Sequence, residues 1–262
     1  MSDNPLIRTF LNWDVIADTF PRLLAEGIWN TLLIAFLSIL VGVVIGLVGA
    51  MLLLSTRWWV RLPARIYVDV FRGLPVVVTI MVVGVGLPAA GFRPFGRDAF
   101  GYAVLAVGII SGAYLTEIFR SGIQSVDTGQ MQAARSLGMS YLSAMRLVIV
   151  PQGIRRILPA MGGQFVKDVK ESSLVYVLGL SVGSRDLFFI AQEEVSRTYN
   201  SSPLIAVGIC YLAITIPLTY GVNRLDRRLR EGPGQGPAPS GDAAEPARPT
   251  DPDLAVVSGG VK

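Results

Sequence analysis

The chain has 262 residues, of which 52% are hydrophobic and only 16% are charged. This composition is too apolar for the surface of an ordinary water-soluble domain, and it predicts an integral membrane protein. With no histidine and one cysteine, imidazole catalysis, most metal and haem sites and a disulfide framework are excluded, so we predict no catalytic residue, cofactor or metal. The net charge of +4 lies in short arginine clusters between apolar runs, which favours membrane orientation over nucleic-acid binding.

Both ends of the chain differ from its apolar middle. Residues 1–26 lack the pattern of a signal peptide and predict an external amphipathic helix at the membrane interface, which Pro21 is expected to end. The apolar face of this helix would consist of Leu6, Phe10, Trp13, Ala17 and Phe20. Residues 231–262 are rich in Pro, Gly, Ala and Asp and predict a disordered cytoplasmic tail. The membrane domain would therefore cover residues 27–230.

Four stretches within this domain predict membrane-spanning helices. A helix needs about 20 apolar residues to cross the ~30 Å hydrocarbon layer, where its own hydrogen bonds must satisfy the backbone. Residues 27–56, 73–92, 99–116 and 198–223 contain no Asp, Glu, Lys or Arg. A fifth stretch, residues 157–184, is ambiguous because charged side chains interrupt it: Lys167, Asp168, Lys170 and Glu171.

The arginines decide the predicted orientation. The positive-inside rule places in the cytoplasm the clusters that follow the first, third and fifth predicted spans. These clusters are Arg57, Arg61 and Arg65; Arg120, Arg135, Arg146, Arg155 and Arg156; and Arg224, Arg227, Arg228 and Arg230. We therefore predict an all-α integral membrane protein with about five transmembrane helices, an external N-terminus and a cytoplasmic C-terminus.

The connection over residues 120–156 is too long and too well patterned for a passive link. It predicts two short helices: Asp127 or Thr128 would N-cap the first, Gly138 would reverse the chain, and Ser140 would cap the second, which would stop at Pro151. The predicted apolar faces are Met131, Ala134 and Leu137 on the first helix, and Leu142, Met145 and Val148 or Ile149 on the second.

Residues 132–138 of this connection read Gln-Ala-Ala-Arg-Ser-Leu-Gly, and after nine further residues 148–151 read Val-Ile-Val-Pro. This resembles the loop signature of permease subunits of ATP-binding-cassette (ABC) importers, which is E-A-A, three residues, G, nine residues, I-x-L-P. Gln132 stands where the family usually has Glu and loses a negative charge. Val148 and Val150 replace Ile and Leu and keep the apolar contact.

Further segments are similar to the polar amino-acid branch of these permeases, the histidine/glutamine permease-like family. They include Phe-Arg-Gly-Leu-Pro at 71–75, the run at 113–126, Pro-Gln-Gly-Ile-Arg-Arg-Ile-Leu-Pro at 151–159, Gly-Gln-Phe at 163–165 and Lys-Glu-Ser-Ser-Leu at 170–174. Together the similar segments cover about residues 27–225, so the tail lies outside the resemblance.

The resemblance implies a type I ABC importer permease that dimerises, with itself or a sister subunit, around a translocation path. The implied partners are ABC ATPase subunits, a second permease protomer, an extracytoplasmic amino-acid-binding protein and membrane lipid. The connection would be the coupling helix, with ATPase-coupling residues Gln132, Ala133, Ala134, Gly138 and Pro151. The alternative for this connection is an amphipathic helix that merely lies on the bilayer. The chain has no G-x-x-x-x-G-K-[ST] loop, so ATP hydrolysis is expected on a partner chain.

Polar groups at membrane depth are candidates for a substrate path, because each buried charge is costly unless it is paired or hydrated. The candidates are Arg72, Glu117, Lys170, Glu171 and Ser172. Lys167 and Glu171 are four residues apart and can pair on one helix face, and Asp168 can pair less directly with either lysine. The alternatives are an ion pair that only holds the helix and interfacial bracing by Arg72 and Glu117.

Two glycine pairs, Gly42 with Gly46 and Gly108 with Gly112, have the spacing that allows close helix packing. We interpret them as packing positions.

Two other functions stay open at this point. A stand-alone secondary transporter driven by an ion gradient would use the cluster at residues 167–171 as an ion relay, but it leaves the patterned connection unexplained. A membrane enzyme would need visible chemistry, and the sequence offers no histidine and no obvious carboxylate pair.

Overall fold

The computed structural model describes residues 5–230, and every regular element in this range is helical. The predicted all-α class is confirmed. The predicted tail, residues 231–262, lies outside the described residues.

The described range contains twelve α-helices joined by short turns. In chain order they are α1 (Pro5–Phe10), α2 (Trp13–Arg22), α3 (Ile28–Leu53), α4 (Trp58–Gly73), α5 (Val76–Met81), α6 (Leu87–Ala89), α7 (Ala99–Gln124), α8 (Thr128–Ser136), α9 (Tyr141–Ala144), α10 (Val150–Glu171), α11 (Leu187–Thr198) and α12 (Ser202–Arg230). π-Helical turns continue three of them: Leu23–Gly27 joins α2 to α3, Val82–Gly86 joins α5 to α6, and Met145–Ile149 joins α9 to α10. A 3-10 turn, Ser172–Leu178, follows α10.

Three helical runs in the described part are long and apolar enough to cross a membrane: Arg8–Leu53, Ala99–Gln124 and Ser202–Leu229. The pair Trp58–Gly73 and Val76–Ala89, bent by 112°, would be a fourth if it forms one broken span. The ambiguous stretch over residues 157–184, which would be the fourth span in chain order, overlaps α10 and the turn after it, and the charged residues of α10 keep that helix outside this set. The count of five and the orientation therefore stay predictions.

The second predicted span, residues 73–92, has a shorter helical part than expected. Helix α4 ends at Gly73, and Leu74 adopts an extended conformation with ψ 143° before the chain turns into α5. The physical reason is Pro75, because its ring disfavours helical geometry at the preceding residue. A full crossing at this place would therefore need α4 as well as α5 and α6.

Helices α3 and α7 form the centre of the fold and pack through glycines. A Cβ added at Gly42 would lie 3.0 Å from Ser111, and one at Gly46 would lie 2.8 Å from Leu115. Gly108 on α7 is crowded by α3 in the same way. Later residues of α3 contact later residues of α7, so the two helices are parallel. The chain between them must therefore return across the bundle. The interpretation of these glycines as packing positions is confirmed.

Helix α10 runs antiparallel to α7. Ile157 near its start packs on Gly122, and Asp168 near its end bonds to Ser111. Helices α3 and α7 finish, and α8 begins, at one end of the bundle, which we call the α8 end. Helix α11 lies at the opposite end, which we call the α11 end.

The first 26 residues do not form one helix that ends at Pro21. The break falls at Leu11 and Asn12, where the Asn12 side chain accepts hydrogen bonds from the amides of the next turn and N-caps α2. Pro21 lies inside α2, and the π-helical turn after it carries the chain into α3. A proline removes one N–H donor but bends rather than ends a helix that is held by neighbouring contacts.

Those contacts are at the α11 end. The Asn12 amide donates to Ser202 Oγ at 2.8 Å, and the Ser201 amide donates to the Thr9 carbonyl at 2.9 Å. Arg22 pairs with Glu193 at 2.9 Å and with Glu194 at 2.8 Å. The N-terminal segment is therefore fastened to α11 and to the turn before α12.

Candidate coupling surface and buried polar cluster

The connection between α7 and α10 is built by local capping. Asp127 accepts a hydrogen bond from the Gly129 amide at 2.6 Å and N-caps α8, and Ser140 accepts one from the Ser143 amide at 3.1 Å and N-caps α9. Between them Gly138 has φ +83°, a left-handed conformation that residues with a Cβ rarely adopt. The predicted caps and chain reversal are confirmed, with Asp127 rather than Thr128 as the cap.

The second helix does not stop at Pro151 as predicted. Helix α9 continues through the π-helical turn into α10, and Pro151 lies in the first turn of α10. A proline is tolerated there because the first amides of a helix have no intrahelical acceptor. The second half of the connection therefore runs into α10 without a break in the helix.

The predicted apolar face of α8 is buried only in part, because α8 ends at Ser136, before Leu137. Ala134 is buried, whereas Leu137 is 84% exposed. Leu142, just beyond the reversal, is 75% exposed, and Tyr141 and Leu147 are exposed beside it. We call Leu137, Tyr141, Leu142 and Leu147 the loop patch. An exposed apolar patch of this kind marks a contact with another macromolecule or with lipid.

The connection that carries the loop patch is positively charged. Residues 125–156 contain four arginines and a single carboxylate, Asp127, which is engaged as a cap. Arg135 donates to the Met139 carbonyl at 2.8 Å, which holds the reversal closed. Gln132 and Ala133 are exposed on α8 next to the patch.

A second polar group of residues lies where α4, α7 and α10 meet, around Tyr114 of α7. Lys167 Nζ lies 3.2 Å from the centroid of the Tyr114 ring, and Arg72 Cζ lies 5.2 Å from it. Lys167 Nζ is also 3.4 Å from Glu171 Oε1, which confirms the predicted pairing of these two residues. The second carboxylate oxygen of Glu171 is buried and has no hydrogen-bond partner among the described residues. We call Arg72, Tyr114, Lys167 and Glu171 the Tyr114 cluster.

Asp168 bonds to neither lysine. It is fully buried and accepts hydrogen bonds from Ser111 Oγ and Gln164 Nε2, both at 2.8 Å. This carboxylate therefore ties α10 to α7.

The five candidates for the substrate path do not gather at one place. Arg72 and Glu171 meet through Tyr114 and Lys167, and Ser172 lies next in the chain, with its hydroxyl donating to the Val169 carbonyl at 2.8 Å. Glu117 lies near the α8 end, where it accepts two hydrogen bonds from Arg120, at 2.9 Å and 2.6 Å. Lys170, three residues after Lys167, lies on a neighbouring face of α10 and lines a cavity with residues of α12: Thr215, Ile216, Thr219, Tyr220 and Asn223.

Tyr114 itself was not predicted. The one available signal was an aromatic residue among the small residues of α7, and its role depends on α4 and α10 lying on either side of it. Among the described residues, no group of three or more Asp, Glu, His or Cys side chains is placed to hold a metal ion.

Known proteins resemble this chain over almost all of the described range. The family model for the inner membrane component of binding-protein-dependent transport systems matches residues 27–231. The glutamine transport system permease protein GlnP of Escherichia coli (strain K12) is 34% identical over 220 residues, which are 84% of this chain and 98% of that protein. The probable glutamine ABC transporter permease protein GlnM of Bacillus subtilis (strain 168) is 35% identical over 222 residues, 84% of this chain and 99% of that protein.

A solved structure shares the fold. The crystal structure of an amino acid ABC transporter with histidines contains a chain with a TM-score of 0.75 and 36% sequence identity, and the match covers 83% of this chain and 99% of that one. The extent of these matches and the match to the family model lead to one assignment. The chain belongs to the family of inner membrane components of binding-protein-dependent transport systems.

Proposed function

We propose that the chain is the transmembrane permease subunit of an ABC importer, which moves a polar L-amino acid inward across the cytoplasmic membrane of a prokaryote. ATP would be hydrolysed on separate ATPase subunits. The loop patch is the observation that carries this proposal, because it presents apolar side chains on a rigid, capped reversal. Relatives that are named as glutamine permeases support the substrate class and favour the importer over a stand-alone gradient-driven transporter.

The loop patch fits a groove on an ATPase. A short helix whose apolar side chains enter a groove is a common mode of recognition, and the surrounding arginines favour a groove with an acidic rim. Gln132 is neutral and cannot form the ion pair that Glu would form at this position. Ala133 would contribute a small exposed surface, and buried Ala134 would anchor α8 to the bundle.

Helix α10 would carry the movement inward. Pro151 in its first turn and Lys167 in the Tyr114 cluster are 16 residues apart, which is about 24 Å at 1.5 Å per residue. Gly138 reverses the chain within the connection, and the connection leads into α10. A tilt of the connection would therefore tilt α10 and shift the Tyr114 cluster. Nucleotide binding and substrate delivery would bias one equilibrium between outward-facing and inward-facing states.

The translocation path would follow the α10 and α12 side of the subunit. Lys170 is exposed there, beside Thr215 near the middle of the 29-residue helix α12. A charge that faces lipid at this depth costs about 2.5 to 3.5 kcal/mol, so this side requires water or a second protomer, of the same or a sister chain. The outer side of α3, by contrast, is apolar and suits lipid: Phe36, Leu40, Val44, Leu47 and Met51.

The Tyr114 cluster suits a zwitterion. The unpaired oxygen of Glu171 can accept a hydrogen bond from an α-ammonium group, while Arg72 and Lys167 can bind an α-carboxylate. Lys170 would line the path on the α12 side. Glu117 and Ser172 are engaged by Arg120 and by the Val169 carbonyl, which favours bracing for these two residues.

A mild detergent extraction of the tagged full chain tests the proposal, with each co-purifying chain identified and ATP hydrolysis measured. We expect an ATPase with its own phosphate-binding loop and an extracytoplasmic amino-acid-binding protein. The ligand of that binding protein would then name the substrate. Recovery of the chain alone, together with uptake by the purified chain in liposomes under an imposed ion gradient, would overturn the importer assignment.

A further inference from the structure

A cationic cavity lies between α4 and α7 at the α8 end, apart from both the loop patch and the Tyr114 cluster. Its volume is about 250 Å³, and it is lined by Leu53, Arg61, Arg65, Glu117, Arg120 and Gln124. Three guanidinium groups therefore face one carboxylate.

The charges of this cavity are unevenly satisfied. Arg120 is engaged, since it donates to the Glu117 carboxylate and to the side-chain amide oxygen Oε1 of Gln124. The Arg61 side chain has no hydrogen bond or ion pair among the described residues, and its backbone amide donates to the Arg57 carbonyl. Arg65 has only a 3.8 Å approach to Asp69, and both of these side chains are largely exposed to solvent. Two guanidinium groups thus present free donors at the rim of the cavity.

An apolar stripe runs beside these donors on α4. Arg61 and Arg65 are one turn apart, and the next face of the helix carries Leu62 and Ile66, which are 47% and 54% exposed. Trp59 is also exposed on this stripe, and tryptophan is enriched where a membrane meets water. The opposite face of α4 is buried against the bundle. The cationic and apolar surfaces are therefore adjacent. A lipid could place its charged headgroup on the first and its acyl chains on the second.

A phosphate group bears the charge and the oxygen acceptors that guanidinium donors bind best. Basic pockets between membrane helices bind anionic lipid headgroups, and a free anion would leave the apolar stripe unexplained. We propose that this cavity binds the phosphate of an anionic phospholipid through Arg61 and Arg65, with the acyl chains along Leu62 and Ile66. The proposal does not depend on transport or on any partner chain.

The test uses the purified full chain in phosphatidylcholine nanodiscs that contain increasing fractions of phosphatidylglycerol with brominated acyl chains. Bromine quenches nearby tryptophan, and a Trp13→Phe/Trp29→Phe background restricts the emission to Trp58 and Trp59. We expect quenching to saturate at a lower fraction of brominated phosphatidylglycerol than of brominated phosphatidylcholine. Arg61→Gln/Arg65→Gln should weaken this preference by about fivefold per arginine removed.

The matched control, Arg227→Gln/Arg228→Gln, removes the same charge from the same end of the bundle and should keep the preference. Arg61→Lys/Arg65→Lys keeps the charge and should keep part of the preference. If the glutamine variant loses its helical circular dichroism, the lysine variant tests the proposal in its place. Equal losses in the glutamine variant and the control, or no preference in the parent chain, would overturn the proposal. Loss of the preference in millimolar inorganic phosphate at constant ionic strength would assign the cavity to a free phosphate-bearing solute instead. Failure of the lipid proposal would leave the importer assignment untouched, because the assay contains no transport step.

Discussion

Lys167 Nζ lies 3.2 Å from the centroid of the Tyr114 ring. The contact joins α10 to α7 at a point where Arg72 of α4 approaches the same ring. Two cations near one aromatic ring repel each other. Their placement is favourable only because the faces of the ring carry negative potential and the Glu171 carboxylate offsets part of the positive charge. The arrangement makes Tyr114 the residue whose replacement should reveal most about the cluster.

Tyr114→Leu should raise the KM for amino-acid uptake in the reconstituted importer by about tenfold, because each lost cation–π contact is worth about 0.5 to 2 kcal/mol. Tyr114→Phe keeps the ring and should behave nearly like the parent chain. Uptake is measured in proteoliposomes with the ATPase and binding protein present. If Tyr114→Leu and Tyr114→Phe both keep the KM of the parent chain, the Tyr114 ring does not contribute to substrate binding.

Asp168→Ala should destabilise the protein without a selective effect on KM. The substitution removes a buried acceptor of two hydrogen bonds to a charged group, each worth about 1.5 to 3 kcal/mol, so the free energy of unfolding should fall by roughly 3 kcal/mol. Thermal unfolding in detergent measures this loss. Asp69→Ala removes an exposed carboxylate and serves as the control, with no change expected. A stable Asp168→Ala variant with altered KM would instead place this carboxylate in the substrate path.

Gly138→Val should uncouple ATP hydrolysis from uptake. Space is not the obstacle, since an added Cβ would meet nothing within 4 Å; the cost of about 1 to 2 kcal/mol comes from the positive φ. Gly91→Val is the matched control, because that glycine is equally open and has a positive φ of +90° but precedes α7, outside the connection. Hydrolysis and uptake are measured on one preparation, and an unchanged ratio of the two in Gly138→Val would contradict the coupling assignment.

Leu142→Asp should weaken binding of the ATPase by at least tenfold, because it places a charge at the centre of the loop patch. Tyr199→Asp is a suitable control: Tyr199 is 94% exposed at the α11 end, far along the bundle from the proposed ATPase surface. Co-purification with the ATPase, titrated against salt, reports the affinity. Loss of binding in the Tyr199 variant as well would indicate general misfolding rather than a local contact.

Gly46→Ala should lower the melting temperature, whereas Gly208→Ala should not. A Cβ at Gly46 would lie 2.8 Å from Leu115 and force α3 away from α7, and overpacking of this kind typically costs about 1 to 3 kcal/mol. Gly208 also lies in a spanning helix but has open space around it. A similar melting temperature for both variants would mean that α3 and α7 adjust without strain.

The features that could be predicted from the sequence depend on residues within one or two turns of each other. Asp127 and Ser140 cap their helices through bonds to amides two or three residues away, and Gly138 reverses the chain through its own φ. The pairing of Lys167 with Glu171 follows from the geometry of a single helix. The spacing of the loop signature likewise indicated the family, which the match to the family model confirmed.

Local signals misled where tertiary contacts outweighed them. Pro21 and Pro151 were expected to end helices, but the bonds that fasten the N-terminal segment to the α12 turn hold the first helix in place, and a first-turn position makes the second proline harmless. The apolar face of α8 was predicted by period alone. The structure buries Ala134 and exposes Leu137, because the helix ends between them.

The sequence by itself determined that the chain is helical and membrane-embedded, where its caps and reversal fall, and which residues carry charge into apolar stretches. Only the tertiary structure decided which of those charges meet. Arg72 and Lys167 share the Tyr114 ring, while Glu117 and Lys170 lie elsewhere, because the rotation of each helix about its axis is set by the glycine packing of α3 on α7 and the Asp168 bonds of α10. Such contacts join residues more than 40 positions apart, and no local period encodes them.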